Sequence, residues 1–189
     1  MTKAETRTRP HFERALFVVG NPNAGKSTLL RNMFVDVRFG TDEQVPDEQR
    51  IMPTFALSNE RCLKVRFTSP HEMKETIEQF FSKVDREMER AWTNFFRFNF
   101  ACPLQPTAAN RMPDVATVCD LFRQRFQPER MRIVQIDPEW TGARGTLLAD
   151  PDVRRLRRLR IELATVDAQE SEDQPYTSGI FLADFFDFT

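Results

Sequence analysis

The sequence predicts a three-layer α/β domain built on a mostly parallel central sheet. Short apolar segments typical of strands alternate with longer segments whose apolar residues recur at helical spacing. That alternation is typical of parallel sheets covered by helices on both faces. Two of the strand segments follow each other directly, so we expect an early hairpin that makes one edge of the sheet antiparallel. A length of 189 residues suits one such domain.

The first part of the chain predicts a strand, a helix and a long loop. Residues 1–12 are polar and are expected to form a flexible arm before a single domain at 13–189. The apolar run at 14–19 predicts a buried strand. Residues 26–35 predict a helix with one apolar side, formed by Leu29, Leu30 and Met33. The segment 36–53 is polar and contains Gly and Pro, which predicts a loop.

The middle of the chain predicts the hairpin and the longest helix. Strands are expected at 54–58 and 61–69, joined by a short turn, and a third at 95–103. Between them, residues 70–94 predict a helix. Its apolar stripe consists of Met73, Ile77, Phe80, Phe81, Val84, Met88 and Trp92.

The last part of the chain continues the alternation. Residues 113–126 predict a helix with Asp114 as its N-cap. Strands are expected at 131–138 and 161–167, and a helix at 150–160. The chain then ends in an apolar, Phe-rich tail.

Composition argues against several classes of function. The net charge is −1 with 29% charged residues, so nucleic acid is not an expected partner. The chain has 18 Phe and one Tyr, which predicts a core packed largely with Phe. The alternative is that some of the Phe residues form a surface for a protein partner.

The three cysteines favour a reducing compartment. Cys62, Cys102 and Cys119 are an odd number without paired spacing, so buried free thiols are expected. The amino-terminal residues lack the apolar segment of a signal peptide, and no run is apolar enough to span a bilayer. We therefore expect a cytoplasmic protein with no membrane partner.

Residues 20–27, GNPNAGKS, match the phosphate-binding pattern G-x-x-x-x-G-K-[ST] in full. The segment follows a strand and opens a helix, which is the context that the motif requires. Glycines allow the backbone to curl around an anion, and successive amides then point at phosphate oxygens. Lys26 supplies a positive charge to the β and γ phosphates, Ser27 supplies a hydroxyl for Mg²⁺, and Thr28 lies near the α-phosphate.

The stretch GNPNAGKSTL resembles the first motif of Ras-like and translation-factor-class (TRAFAC) GTPases within the P-loop NTPases. Asn23 stands where small-molecule kinases usually carry a third Gly. The resemblance implies that a bound nucleotide, GTP or alternatively ATP, contacts the whole loop, formed by Gly20, Asn21, Asn23, Ala24, Gly25, Lys26, Ser27 and Thr28. It also implies a first switch at 36–54, where Thr54 joins Ser27 in holding Mg²⁺ and Thr41 is the competing candidate.

The other motifs of that class are altered here. The resemblance places TSPH at 68–71 where the family has D-x-x-G, so that His71 replaces the Gly and Glu72 takes the place of the water-orienting residue. Lys26, His71 and Glu72 are therefore the catalytic candidates. The guanine-reading N-K-x-D is missing. Asp137 ends a strand at the corresponding depth and is either a base-reading or Mg²⁺-side carboxylate or a turn residue before Pro138.

The leading hypothesis from the sequence is a GTP-binding switch with slow or partner-stimulated hydrolysis, requiring Mg²⁺ and acting within a protein complex. A protein partner is expected at the 36–54 loop and at Phe-rich surfaces. One alternative is an ATP-dependent small-molecule kinase that uses the arginine run at 154–160 as a lid. Another is a structural subunit that binds nucleotide without hydrolysing it.

Overall fold

Six strands form one sheet in a computed structural model that describes residues 10–42, 46, 54–169 and 176–186. The strands are β1 (His11–Val19), β2 (Phe55–Ala56), β3 (Arg61–Val65), β4 (Arg97–Leu104), β5 (Arg130–Ile136) and β6 (Glu162–Val166). They lie side by side in the order β2-β3-β4-β1-β5-β6. β2 pairs with β3 antiparallel and all the other pairs are parallel. The predicted α/β sheet with an antiparallel edge is confirmed.

Helices cover both faces of this sheet. They are α1 (Lys26–Asn32), α2 (Ile77–Ala91), α3 (Val115–Phe126), α4 (Asp150–Arg158) and α5 (Thr177–Ala183). Buried residues of α2, α3 and α4 share one apolar core with the sheet. Those of α1 and α5 belong to a second core on the other face, together with short 3₁₀ turns at Met33–Val35 and Asp184–Phe186.

The strand order creates a crevice beside β1. β1 and β4 are neighbours, but the helix that follows β1 packs on one face and the helix that follows β4 packs on the other. In open α/β sheets, ligands bind outside the carboxyl ends of strands at such a switch point. The segment that follows β1 at this edge begins at Gly20.

Several strands and helices begin at residues other than those predicted from the sequence. β1 begins at His11, so the last two residues assigned to the 1–12 arm belong to the sheet, and Phe12 is buried. α2 begins at Ile77 instead of residue 70, because Thr76 and Gln79 form a capping box there. Met73 precedes the helix and is 43% exposed, so the prediction that it belongs to the apolar stripe of this helix was wrong. The Asp114 cap of α3 is confirmed by its bond from the Thr117 amide.

The predicted Phe-packed core is confirmed. The Phe122 ring is fully buried and meets Phe12, Phe17 and Phe81 edge-on, with ring centroids 5.4, 5.1 and 5.8 Å away. All three cysteines are buried and free, as expected. Within the described ranges, no helix is both long and apolar enough to cross a bilayer.

Candidate phosphate-binding site

The loop between β1 and α1 curls through two left-handed residues. Asn23 has φ 62° and Gly25 has φ 96°. This left-handed conformation is strained for most residues that carry a Cβ atom, whereas Gly adopts it freely. The first bond of the helical ladder runs from the Leu29 amide to the Gly25 carbonyl at 2.9 Å. The amides of residues 26–28 therefore precede the ladder and are available to an anion.

Lys26 lies buried inside this loop, with its residue only 4% exposed. Its Nζ donates to the Asn21 carbonyl oxygen at 2.5 Å and lies 4.0 Å from the Glu72 carboxylate. Burial lowers the Lys26 pKa, while Glu72 and Glu139 oppose that shift. An ammonium removed from water in this way gains most from a further anionic partner.

Ser27 is connected to the segment that follows β3. Its hydroxyl donates to the Phe67 carbonyl oxygen at 2.5 Å. Because the hydroxyl hydrogen is engaged, the oxygen lone pairs are left for a cation. The same segment brings Glu72 to the loop, so the predicted grouping of Lys26, Ser27 and Glu72 is present.

The loop after β5 adds two residues that the sequence did not indicate. Glu139 accepts from the Asn21 side-chain amide at 2.8 Å, and the Trp140 indole donates to the Asn23 carbonyl at 2.6 Å. Trp140 remains 59% exposed. Together with residues 23–28 and Glu72 it lines a pocket of about 560 Å³. The one sequence feature that could have indicated these two residues is their position after β5, since this loop leaves the sheet at the same edge as the phosphate loop.

His71 does not line that pocket. It is fully buried, its Nε2 lies 3.0 Å from the Pro113 carbonyl oxygen, and its Nδ1 accepts from the Gln105 amide at 3.4 Å. Burial lowers its pKa, and these two bonds fit one neutral tautomer. The predicted catalytic role of His71 therefore has no geometric support, and His71 instead holds its segment against the end of β4 and the start of α3.

The predicted Mg²⁺ ligand Thr54 is not brought to Ser27. It immediately precedes β2, which is the edge strand three positions from β1, or about 14 Å at the usual strand spacing. The competing candidate, Thr41, donates its hydroxyl to the Phe34 carbonyl. The first part of the predicted switch loop folds as a 3₁₀ turn, Val37–Phe39, and residues 43–45 and 47–53 lie outside the described part.

Asp137 serves the turn after β5. Its carboxylate accepts from the Gly145 amide at 3.0 Å, and it is absent from the described lining of the pocket. Of the two interpretations left open by the sequence, this contact favours the turn residue. A base-reading role for Asp137 receives no support.

The arginine run at 154–160 lies on and after α4. Arg155 pairs with Asp120 of α3, and the described lining of the phosphate-loop pocket contains no arginine. In the part of the chain that the structure describes, the arginines of 154–160 therefore do not form the predicted lid over the phosphate loop.

A Mg²⁺ ion fits the residues that are present. Ser27 offers one oxygen and Glu72 a second, exposed one in the same pocket. In the part of the chain that the structure describes, no cluster of three or more acidic, His or Cys side chains forms a cage for a metal. Mg²⁺ usually keeps several waters and takes its other ligands from substrate phosphates, so a site with few protein ligands suits it.

Comparison of the chain with models of protein families, with curated proteins and with solved structures finds no match.

Proposed function

We propose that this protein binds a nucleoside triphosphate with Mg²⁺ at residues 20–28 and acts as a switch with slow or partner-stimulated hydrolysis. The observation that carries the proposal is the buried Lys26 ammonium, held inside a loop that Asn23 and Gly25 curl. Its protein partners are one carbonyl and a carboxylate 4.0 Å away. A β,γ-phosphate group would give this cation a closer anionic contact than Glu72 provides.

Different residues of the loop would contact the phosphates and the metal ion. Lys26 exchanges its bond to the Asn21 carbonyl for phosphate oxygens, and the amides of residues 26–28 add hydrogen bonds. Ser27, oriented by the Phe67 carbonyl, directs a lone pair toward the metal position. When bound, Mg²⁺ neutralises charge on the β and γ phosphates.

The surroundings of the site support the proposal of slow hydrolysis. Burial lowers the His71 pKa, and both of its ring nitrogens contact protein groups. Glu72 is then the remaining candidate among the predicted catalytic residues to orient an attacking water. The preference for GTP rests on the resemblance of the loop to TRAFAC GTPases, and the nucleotide base has no assigned partner.

The partner surface belongs to the same proposal. Val37, in the segment expected to be the first switch, is 71% exposed, and Phe96 is 49% exposed. Val37 lies in the 36–54 segment and offers an exposed apolar side chain for a protein contact. A switch would use residues 36–54 for that contact when nucleotide is bound.

Equilibrium calorimetry with GTP, ATP and their diphosphates, with and without Mg²⁺, tests the proposal. Binding should be tighter with Mg²⁺ than without it and should be lost in Lys26→Ala, because the variant removes the buried charge. Lys74→Ala, which removes an exposed lysine, is the matched control and should bind like the wild type. Absence of triphosphate binding by the folded wild type would overturn the proposal.

A phosphotransferase is a second candidate, because another cleft lies next to the phosphate loop. Thr68 and Met73 line that cleft, and Glu72 between them lines the phosphate-loop pocket. ATP preference together with consumption of ATP that depends on an added acceptor would favour this candidate over the switch.

A further inference from the structure

A cleft of about 250 Å³ opens between β3 and α2 on the face of the sheet opposite α1. Its floor is apolar and is formed by Phe80, Val84 and Phe100, each of which is nearly or fully buried. Met73, 43% exposed, stands at its side. A small cleft with an aromatic floor suits a compact organic molecule better than a peptide helix.

The rim of the cleft is strongly basic. Its five cationic side chains are Lys64, Arg66, Lys83, Arg86 and Arg90, and its two acidic ones are Glu75 and Glu87. Glu75 pairs with Arg66 and Lys83, and Glu87 pairs with Lys64 and Arg90. The two carboxylates therefore pair with four of the five cations, and the net positive charge of the rim favours an anion.

Arg86 is the cation that no described carboxylate neutralises. It is exposed, and its Nε donates to the Ser82 carbonyl at 3.4 Å, within its own helix. Its remaining N–H groups can form paired hydrogen bonds with a carboxylate or phosphate. The apolar floor and the basic rim together suit a ligand that has an apolar body and an anionic group.

We propose that this cleft binds a small organic anion with an aromatic or otherwise apolar body and a carboxylate or phosphate group. Arg86 contacts the anionic group, and Phe80, Val84 and Phe100 contact the apolar body. The proposal stands independently of nucleotide binding, because no cleft residue named here belongs to the phosphate loop. The side of the cleft at Arg66 is fixed by hydrogen bonds, since Arg66 bonds both Glu75 oxygens and donates to the Thr68 carbonyl at 2.7 Å.

Titration with 2-naphthoate, compared with the neutral 2-naphthamide, tests this inference by ligand-detected NMR. The acid should bind about tenfold more tightly than the amide, because only the ionised acid pairs a negative charge of its own with the Arg86 guanidinium. Arg86→Glu should abolish this preference. Arg157→Glu, a matched charge reversal at an exposed site on α4, should keep it.

Three further measurements keep the test decisive. Val84→Phe fills the cleft and should abolish binding of both probes, and backbone amide shifts of the wild type should move at residues of the cleft rim and floor. Lys26→Ala should leave naphthoate binding unchanged, which separates this site from the phosphate loop. Equal binding of acid and amide, no binding, or shifts confined to residues 20–28 would overturn the proposal.

Discussion

The Ser27 hydroxyl donates to the Phe67 carbonyl oxygen at 2.5 Å, and this bond joins two segments whose strands are not neighbours. β4 lies between β1 and β3 in the sheet. The chain beyond β3 must therefore pass across the end of β4 to reach the phosphate loop. His71 anchors that passage through the Gln105 amide, just beyond β4, and Glu72 is delivered beside Lys26. A backbone carbonyl thus orients the hydroxyl in this site.

Replacing Ser27 by Ala should weaken binding of the Mg²⁺–triphosphate complex by about tenfold or more, because one metal ligand is lost. Binding measured in EDTA should change little, since the amides and Lys26 remain. Ser27→Thr keeps the oxygen and is the control. Calorimetry in both buffers distinguishes the cases, and equal losses with and without Mg²⁺ would show that Ser27 does not contact the metal.

Glu72→Gln should lower single-turnover hydrolysis by at least about tenfold, because an amide cannot accept the proton of an attacking water. Triphosphate affinity should stay the same or rise, since a negative charge near the phosphates is removed. Phosphate release by wild type and variant, at saturating nucleotide, gives the comparison. An unchanged rate would remove Glu72 from the reaction.

The sequence predicted those parts of the site that depend on local spacing and missed those that depend on strand order. Residues 20–27 could be identified because a strand, a glycine-rich turn and a helix lie within one short stretch. Glu139 and Trp140 could not, because their contacts with Asn21 and Asn23 form only when β5 lies beside β1. The position of Thr54 could not be predicted either, because the order of elements along the chain does not reveal that β3 and β4 lie between β2 and β1.

Trp140 should report nucleotide binding directly. Its indole is bonded to the Asn23 carbonyl, so reordering of the loop around phosphate changes the surroundings of the ring. Adding Mg²⁺–GTP should shift the tryptophan emission of the wild type. Trp140→Phe should bind nucleotide in calorimetry but lose the emission change, because Trp92 packs on Phe96, outside the residues that line the phosphate-loop pocket. A full signal from the variant would contradict the assignment.

His71 should make stability depend on pH. Burial lowers its pKa in the folded state, so folding favours the neutral ring. Its contribution is fully present above the unfolded-state pKa of about 6.5 and is lost as pH falls from there through the lower folded-state value. Urea unfolding of the wild type should show this loss as the pH falls below about 6.5.

His71→Gln should be less stable at neutral pH and show a flatter profile over that window. His11→Gln keeps His71 as the one histidine of the chain and should retain the loss. Parallel profiles for the wild type and His71→Gln would show that protonation of His71 is not linked to folding.

Phe122→Ala should lower the free energy of unfolding by about 3–5 kcal/mol, the usual cost of truncating a buried aromatic side chain. The ring is fully buried, and its centroid also lies 4.6 Å from that of Phe126, so its removal leaves a cavity among several aromatic neighbours. Phe96→Ala is the matched control at a 49% exposed position and should cost clearly less. Denaturant unfolding of both variants gives the difference, and similar losses at the two sites would contradict a core organised around Phe122.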